Sequence, residues 1–510
     1  MERKTPFIQM ENIRKTFGKV VANDNINLSI YGGEVHALLG ENGAGKSTLM
    51  NMLSGVYTPD SGSIYIKGKK VEFSSPMDAI KAGIGMIYQH FKLVDNMTGE
   101  ENIILGKKNG IFVNWKSIRS KINDICNKYD IAIDLNKKVQ DMSVGEKQII
   151  EILKVLYRGA NILVLDEPTT VFTPLEVEKL FNMINKMKEN GCAVVFISHK
   201  MEEVMAICDK ITVLRKGEVI TTIDKKNAKI KMLADLMVGE KVELSIKKDK
   251  VAIGNEILRI HNLSLYNEDK VEVLKKISFN IHRGEVVGIA GIAGSGQREL
   301  CEAIAGIIPI KQGEIFVDGE NIVGKNPREI IDKGVSMSFI PEDRLGMGLV
   351  GSMDMVDNLL LKSYHYQKGF LIDKKETIEK ANSIKEELDI KTPDIYHPIK
   401  DLSGGNIQKI LLGRELDINP SLLIMAYPVR GLDINTCYTI YNLINEQKKK
   451  NVGVLYIGED LDVLIELCDK ILVMCNGEIR GELMGHNVTK EEIGLLMGGA
   501  TLEREEIDVV

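Results

Sequence analysis

The chain has 510 residues, a formal net charge of −6, and 44% hydrophobic and 27% charged residues, which fits a globular protein with ample core in roughly two to four domains. Seven cysteines, at 126, 192, 208, 301, 437, 468 and 475, form no CxxC pair and no metal-ligand spacing, so they read as reduced cytosolic thiols rather than a disulfide framework. The start MERKTPFIQM lacks the apolar stretch of a signal peptide, and no run approaches the roughly 18 apolar residues of a membrane span. No dense Lys/Arg block marks a nucleic-acid footprint, so none is expected as a partner.

In chain order, EVHALLG is the first predicted buried strand. It runs into Gly40, Glu41, Asn42, Gly43, Ala44, Gly45, Lys46, Ser47 and Thr48, and KSTLMNMLSGV beyond reads as helix. This is GxxxxGK[ST] in the strand-to-helix setting that its chemistry requires. Glycines let backbone N–H groups approach phosphate, the helix N-terminus favours the anion, Lys46 reaches the β/γ-phosphates, and Ser47 offers its hydroxyl to Mg²⁺. GSIYIKGKKVEF, with a Lys-Gly turn between short strands, suggests an added antiparallel layer. Gln89 is placed to reach the metal or the attacking water, and residues from about 90 to 160 look mostly helical.

NILVLD is the next strand, and Asp166 and Glu167 stand at its C-terminal end, where α/β sheets bind ligands. One carboxylate suits the Mg²⁺ shell and its neighbour suits polarising water. PLEVEKLFNMINKMKEN reads as helix, CAVVFIS as strand and KMEEVMAICDK as helix. His199, after CAVVFIS, suits contact with a γ-phosphate or that water, although a lone histidine at a strand end also has a structural reading. This alternation predicts an α/β domain with a mainly parallel sheet.

The whole plan then restarts. CDKITVLRKGEVI at 208 recurs as CDKILVMCNGEIR at 468, and DMSVGEKQI at 141 recurs as DLSGGNIQK at 401, both displaced by 260 residues. GENGAGKSTL recurs as GIAGSGQREL, displaced by 251. The charged stretch 241–256 is the expected seam, giving domains at 1–245 and 250–510. In the second copy the stretch 345–415 looks helical, and KILVMCNGEIR, with its Asn-Gly turn, is expected in an antiparallel layer. Gly291, Gly294 and Gly296 keep the phosphate cradle, but Gln297 and Arg298 replace lysine and serine.

The loop GENGAGKST, Gln89, SVGEKQ, LVLDEPT and the Ser198–His199 pair follow one another as in ABC-type ATPases, and the likeness spans nearly the whole chain. HFKLVDNMTGEENI, IPEDR at 340–344 and the tandem layout resemble the ATP-binding subunit of simple-sugar and nucleoside importers. That resemblance implies Mg²⁺ with ATP, two separate integral-membrane permease subunits, an extracytoplasmic binding protein and a peripheral place on the cytoplasmic face of the membrane. It further implies composite sites. One would combine Lys46, Ser47, Gln89, Asp166, Glu167 and His199 with Ser403, Gly404, Gly405 and the D-loop Asp433.

The reverse site would combine Gly291, Gly294, Gly296, Gln297 and Arg298 with Ser143 and Gly145. There Ala426, Tyr427, Glu459 and Glu342 stand for Asp166, Glu167, His199 and Gln89, Thr173 stands for Asp433, and Val144 interrupts the signature. Every departure falls on one site, so one hydrolytic and one degenerate site are expected; whether the second loop holds nucleotide or is purely structural stays open. Phe17 matches the adenine-stacking aromatic of the family, with a core role as the alternative. Tyr266 is its counterpart. A tandem ATPase acting on ribosomes or nucleic acid, and a scaffold without turnover, are the rival functions.

Overall fold

Two long strands come first, β1 (Ile8–Phe17) and β2 (Val20–Ile30), paired antiparallel from Ile8 with Ile30 to Phe17 with Val20. The sequence pattern does not single them out, because register shifts between Met10 and Thr16 break the alternation that marks a strand. The computed structural model describes residues 5–500 apart from 89–90, 107–113, 170–171, 199, 242–243, 247, 250, 268, 293, 333–336, 368–370 and 486–487.

After β3 (Val35–Leu39) and α1 (Lys46–Leu53), the hairpin β4 (Ser61–Ile66) and β5 (Lys69–Val71) completes an antiparallel sheet of order β2-β1-β4-β5. Then follow α2 (Pro76–Lys81), β6 (Ile84–Ile87) and the helices α3 (Gly99–Ile104), α4 (Trp115–Tyr129) and α5 (Val144–Tyr157). The remainder is β7 (Ile162–Asp166), α6 (Pro174–Glu189), β8 (Ala193–Ile197), α7 (Met201–Ile207), β9 (Lys210–Arg215), β10 (Glu218–Asp224) and α8 (Ile230–Val238).

The main sheet has the order β10-β9-β3-β8-β7-β6, parallel from β9 to β6. Its inner strands read VHALL, ILVLD and AVVFI because both faces are covered. Ile8, Ile26 and Ile64 of the antiparallel sheet, Leu49 and Met52 of α1, and Leu38, Val164 and Val195 of the main sheet share one core. The predicted helical stretch has its own core of Ile103, Ile118, Ile122, Val139, Ile150 and Leu153.

The second unit, Leu244–Val510, repeats the plan. Its elements are β11 (Glu256–Tyr266), β12 (Glu272–His282), β13 (Val286–Gly291), α9 (Gln297–Ile304), β14 (Gln312–Val317), β15 (Glu320–Asn321), α10 (Pro327–Asp332) and β16 (Met337–Ile340). They continue with α11 (Met355–Ser363), α12 (Lys375–Glu387), α13 (Gly404–Asp417), β17 (Leu422–Ala426), α14 (Ile434–Lys449), β18 (Gly453–Ile457), α15 (Leu461–Leu467), β19 (Lys470–Cys475), β20 (Glu478–Met484) and α16 (Lys490–Met497).

Its sheets run β12-β11-β14-β15 and β16-β17-β18-β13-β19-β20. One expectation changes here. The hairpin KILVMCNGEIR is antiparallel, but β19 pairs in parallel with β13, so the hairpin edges the main sheet rather than the added layer. The fully buried ILVM of β19 needs two covered faces, which that sheet supplies. The seam is fastened to the second unit: Lys248 Nζ donates to the Cys468 carbonyl at 2.5 Å, and Asp249 pairs with Lys449 at 2.8 Å.

Phe196 is among the largest fully buried side chains, whereas Thr98 caps α3 through a reciprocal bond with Glu101. Phe196→Ala should cost about 3–5 kcal/mol in the urea transition of the first unit. Thr98→Ala should cost only about 1 kcal/mol. Equal losses would contradict this placement of the core.

Candidate functional site

Strand β3 delivers the chain to Gly40, where a Cβ would lie 2.5 Å from the Leu214 carbonyl oxygen, so only glycine fits. Gly43 and Gly45 take left-handed φ values of 80° and 97°, and Gly45 is the N-cap of α1. Below Gly45 the loop is welded to β2 and to the turn between β9 and β10. Asn23 Nδ2 donates to the Gly45 carbonyl at 3.2 Å, the Gly217 N–H donates to the Ala44 carbonyl at 3.2 Å, and the Asp24 N–H donates to the Gly217 carbonyl at 2.8 Å. A Cβ on Gly45 would collide with the Ala22 carbonyl.

Lys46 folds back over this loop, with Nζ donating to the carbonyls of Gly40 at 2.5 Å and Glu41 at 2.9 Å. Burial lowers its pKa, opposed by the charges of Glu167, Asp166 and Glu41, which brings these groups into one electrostatic cluster. Ser47 is exposed at the mouth of the loop. Burial pushes the Asp166 carboxyl up to about 6, helped by Glu167 and opposed by Lys46. Glu167 has φ 48°, in the left-handed region, and its N–H donates to the Ile197 carbonyl at 2.9 Å.

Gln89 and His199 lie outside the described residues, but the flanks of His199 are anchored. Glu203 accepts from Thr169 Oγ1 at 2.5 Å and from Ser198 Oγ at 3.3 Å. Sequence reasoning missed Glu203, Asn23 and Gly217, because no motif reports a residue that supports a loop from beneath. Phe17 is 43% exposed, which removes the core alternative; Tyr57 meets it edge-on at 5.2 Å and the Lys15 ammonium lies 5.7 Å from its ring centre. Its counterpart Tyr266 is also exposed.

The second unit keeps this backbone and changes its chemistry. Gly294 and Gly296 have φ 88° and 100°, the Gly477 N–H donates to the Ser295 carbonyl at 3.1 Å, and the Lys275 N–H donates to the Gly477 carbonyl at 2.8 Å. A Cβ on Gly291 would lie 2.7 Å from the Met474 carbonyl. Gln297 follows the path of Lys46, donating Nε2 to the Ile292 carbonyl at 3.0 Å. Arg298 turns aside to Glu302 at 2.6 Å. Tyr427 has φ 49° and donates its N–H to the Ile457 carbonyl at 3.0 Å, just as Glu167 does in its unit. Beside Ala426 lies a cavity of about 240 Å³, whose lining includes Arg298, Glu302, Glu342 and Asp343.

The signature serines cap their helices. Ser143 and Glu146 bond reciprocally at the start of α5, while Ser403 caps α13 with Asn406, so Gly404 and Gly405 form its first turn. Gly145 lies against Glu176, and Gly405 against Thr436 and Asp433. Thr173 caps α6 and Asp433 caps α14, so each also has a structural duty. Among the described residues no cluster of three His, Cys, Asp or Glu could hold a metal by itself. The Ser47 hydroxyl and one carboxylate, Asp166, fit a Mg²⁺ that arrives with its phosphates, since that ion keeps few protein ligands in nucleotide sites.

The sequence profile described as ABC transporter matches residues 23–170 and 274–429. The guanosine import ATP-binding protein of Bacillus subtilis (strain 168) is 43% identical over 97% of this chain and 98% of its own. The glucose import ATP-binding protein of Haloferax volcanii is 39% identical over 97% and 96%. Among solved structures, a chain from the complex of archaeal ribosomal stalk protein aP1 and archaeal ribosome recycling factor aABCE1 aligns at TM-score 0.59 and 18% identity, covering 91% of this chain and 87% of that one, a likeness of fold alone.

The raised Asp166 pKa carries a sign. The folded side chain keeps its proton to about pH 6, whereas the unfolded one releases it near 3.8, so stability falls as pH rises through that window and stays reduced above it. With chelator present and no nucleotide, Asp166→Asn should raise the melting temperature at pH 7.5 and lose that advantage below pH 4. A gain of equal size at both pH values would show that the carboxylate charge is not its source.

Proposed function

Since this chain belongs to the ABC transporter family and is an ABC-type ATPase, we propose that it powers uptake of a nucleoside or simple sugar through two separate integral-membrane permease subunits. Relatives covering nearly its full length are import ATP-binding proteins for guanosine, nucleosides, glucose and ribose, which supports both the importer role and that substrate range. Among the described residues no helix is long and apolar enough to cross a membrane. Following the resemblance to importer ATP-binding subunits, the translocation path would belong to partner subunits and this chain to the cytoplasmic face. An extracytoplasmic binding protein completes the proposed system.

The observation that carries the hydrolytic assignment is the cluster of Lys46, Asp166 and Glu167 in the first unit beside its replacement by Gln297, Ala426 and Tyr427 on the same backbone in the second. The loop N–H groups and Lys46 would grip the β/γ-phosphates, and the Phe17 face would take adenine. Ser47 and Asp166 would hold Mg²⁺, with Gln89 beside them; that ion supplies neutralisation of phosphate charge. Glu167 would accept a proton from water as its oxygen bonds to the γ-phosphorus and the bond to the leaving ADP oxygen breaks, with His199 orienting the γ-phosphate. Following the resemblance, Ser403, Gly404, Gly405 and Asp433 would complete this site.

The reverse site, with Gly291, Gly294, Gly296, Gln297, Arg298, Ser143 and Gly145, lacks the carboxylates for turnover. Its Arg298 cation is already committed to Glu302, which counts against strong phosphate binding there. Next to Tyr88, a cavity of about 200 Å³ with Ala79, Ile80, Met86 and Val155 in its lining and Lys92, Lys154 and Arg158 among its charged residues supports permease docking near the Gln89 loop.

Glu167→Gln should lower kcat for ATP by about 10²- to 10⁴-fold while ATP still binds. The check is steady-state hydrolysis alongside equilibrium binding of a fluorescent ATP analogue. Retained turnover would remove Glu167 as the base. Transport assays with nucleosides and sugars in a permease-reconstituted complex would decide the substrate.

A further inference from the structure

The second unit contains a charge cluster that the chemistry above does not use. Arg430, in the turn after β17, pairs with Glu342 through Nη1 and with Glu459 Oε1 through Nε at 3.3 Å. Its guanidinium lies 5.9 Å from the centre of the Tyr427 ring. Glu342, Glu459 and Tyr427 occupy the positions that Gln89, His199 and Glu167 hold in the first copy. A fixed guanidinium is therefore tied to the groups that stand where a nucleotide site would gather metal and γ-phosphate.

A second arginine carries this cluster to the signature. Arg344 Nε donates to Gln408 Oε1 at 2.6 Å, two turns or less from the start of α13, and its Nη2 donates to the carbonyl of Arg430. A Cβ on Gly404 would lie 3.6 Å from Arg344 Nη1, so the guanidinium rests against the signature turn itself. Planar guanidinium groups suit such work, because several donors leave one rigid plane in fixed directions. The first copy has Phe91 and Thr170 at the corresponding positions, so it carries neither arginine.

We infer that Arg344 and Arg430 are positioning residues: they hold the turn Ser403–Gly404–Gly405 against the core of the second unit by permanent internal charges, with no nucleotide required. This rests on the reading above, in which that turn serves hydrolysis at the first-half loop. In that half, Gln89 and His199 would respond to bound nucleotide. In the second half, Glu342, Glu459 and Arg430 replace that response with contacts present in the empty protein. The signature is thereby presented in one fixed position at every cycle.

The test uses the full-length chain with Arg430→Met, Arg344→Met and Arg430→Lys. Steady-state hydrolysis gives kcat and KM, and a fluorescent ATP analogue gives binding to the first-half loop in the Glu167→Gln background. Each Met variant should lower kcat about tenfold, since displacing a participating group by a fraction of an ångström to an ångström costs that much or more. Analogue binding should stay within about twofold of the parent. Arg430→Lys should recover most of the rate, because an ammonium still sits between two carboxylates.

A Met variant with parental kcat overturns the inference, and so does Arg430→Lys performing no better than Arg430→Met. Should Arg430→Met fail to fold, the isosteric pair Glu342→Gln and Glu459→Gln removes the carboxylate charges that Arg430 faces, and unchanged kcat there overturns the inference equally. Glu167→Gln separates the two levels. If that variant still hydrolyses ATP, the functional reading fails; if it is inactive while the arginine variants are unaffected, only the clamp fails.

Discussion

The junction beneath each phosphate loop governs the rest of the structure. Three pieces of backbone meet there: the loop, the second strand of the antiparallel sheet, and the glycine turn between the last two strands of the main sheet. Gly217 donates to Ala44 and accepts from Asp24; Gly477 donates to Ser295 and accepts from Lys275. A methyl group at Gly45, Gly217, Gly296 or Gly477 would approach a neighbouring carbonyl within van der Waals distance or collide with it. The two sheets of each unit are thus joined at the point where the loop turns into helix, and the loop cannot relax without parting them. Burying backbone polar groups there is tolerable because each finds a partner.

That constraint explains why the second loop keeps its glycines after losing its lysine. Gly291 and Gly296 are fixed by close approach to Met474 and Val273, whether or not phosphate ever binds. Gly294 has open space around its absent Cβ and only its left-handed φ to explain it. A glycine pattern therefore speaks for the fold of such a loop, and the side chains at its end speak for its chemistry. Gln297 spends its amide on the loop's own carbonyl, and Arg298 is spent on Glu302.

Much of this was legible in the sequence because it rests on local pattern. The buried strands VHALL, ILVLD and AVVFI, the phosphate loop, the carboxylate pair and the 260-residue repeat all came through as runs of adjacent residues. What stayed hidden depends on partners far away in sequence. The β1–β2 hairpin was obscured by bulges that interrupt its alternation, and KILVMCNGEIR shows its turn but not which sheet it joins. Phe17 could have been core or platform on sequence alone; its exposure, with Tyr57 at its edge, is a tertiary fact. The two carboxylate partners of Arg430 are 88 and 29 residues away, so no local pattern could announce it.

The left-handed residue at the end of each central strand has a further consequence. Glu167 and Tyr427 share φ values of 48° and 49° and the same bond to the neighbouring strand, although one side chain is a carboxylate and the other a phenol. The strain of that conformation, of order 1–3 kcal/mol in an L-residue, is borne by both halves. The second half has therefore kept this strained turn although its side chain has changed from carboxylate to phenol. At this position the two halves differ only in what hangs from the backbone, so exchanging the side chain at 427 for a carboxylate would place it on a turn that is already formed.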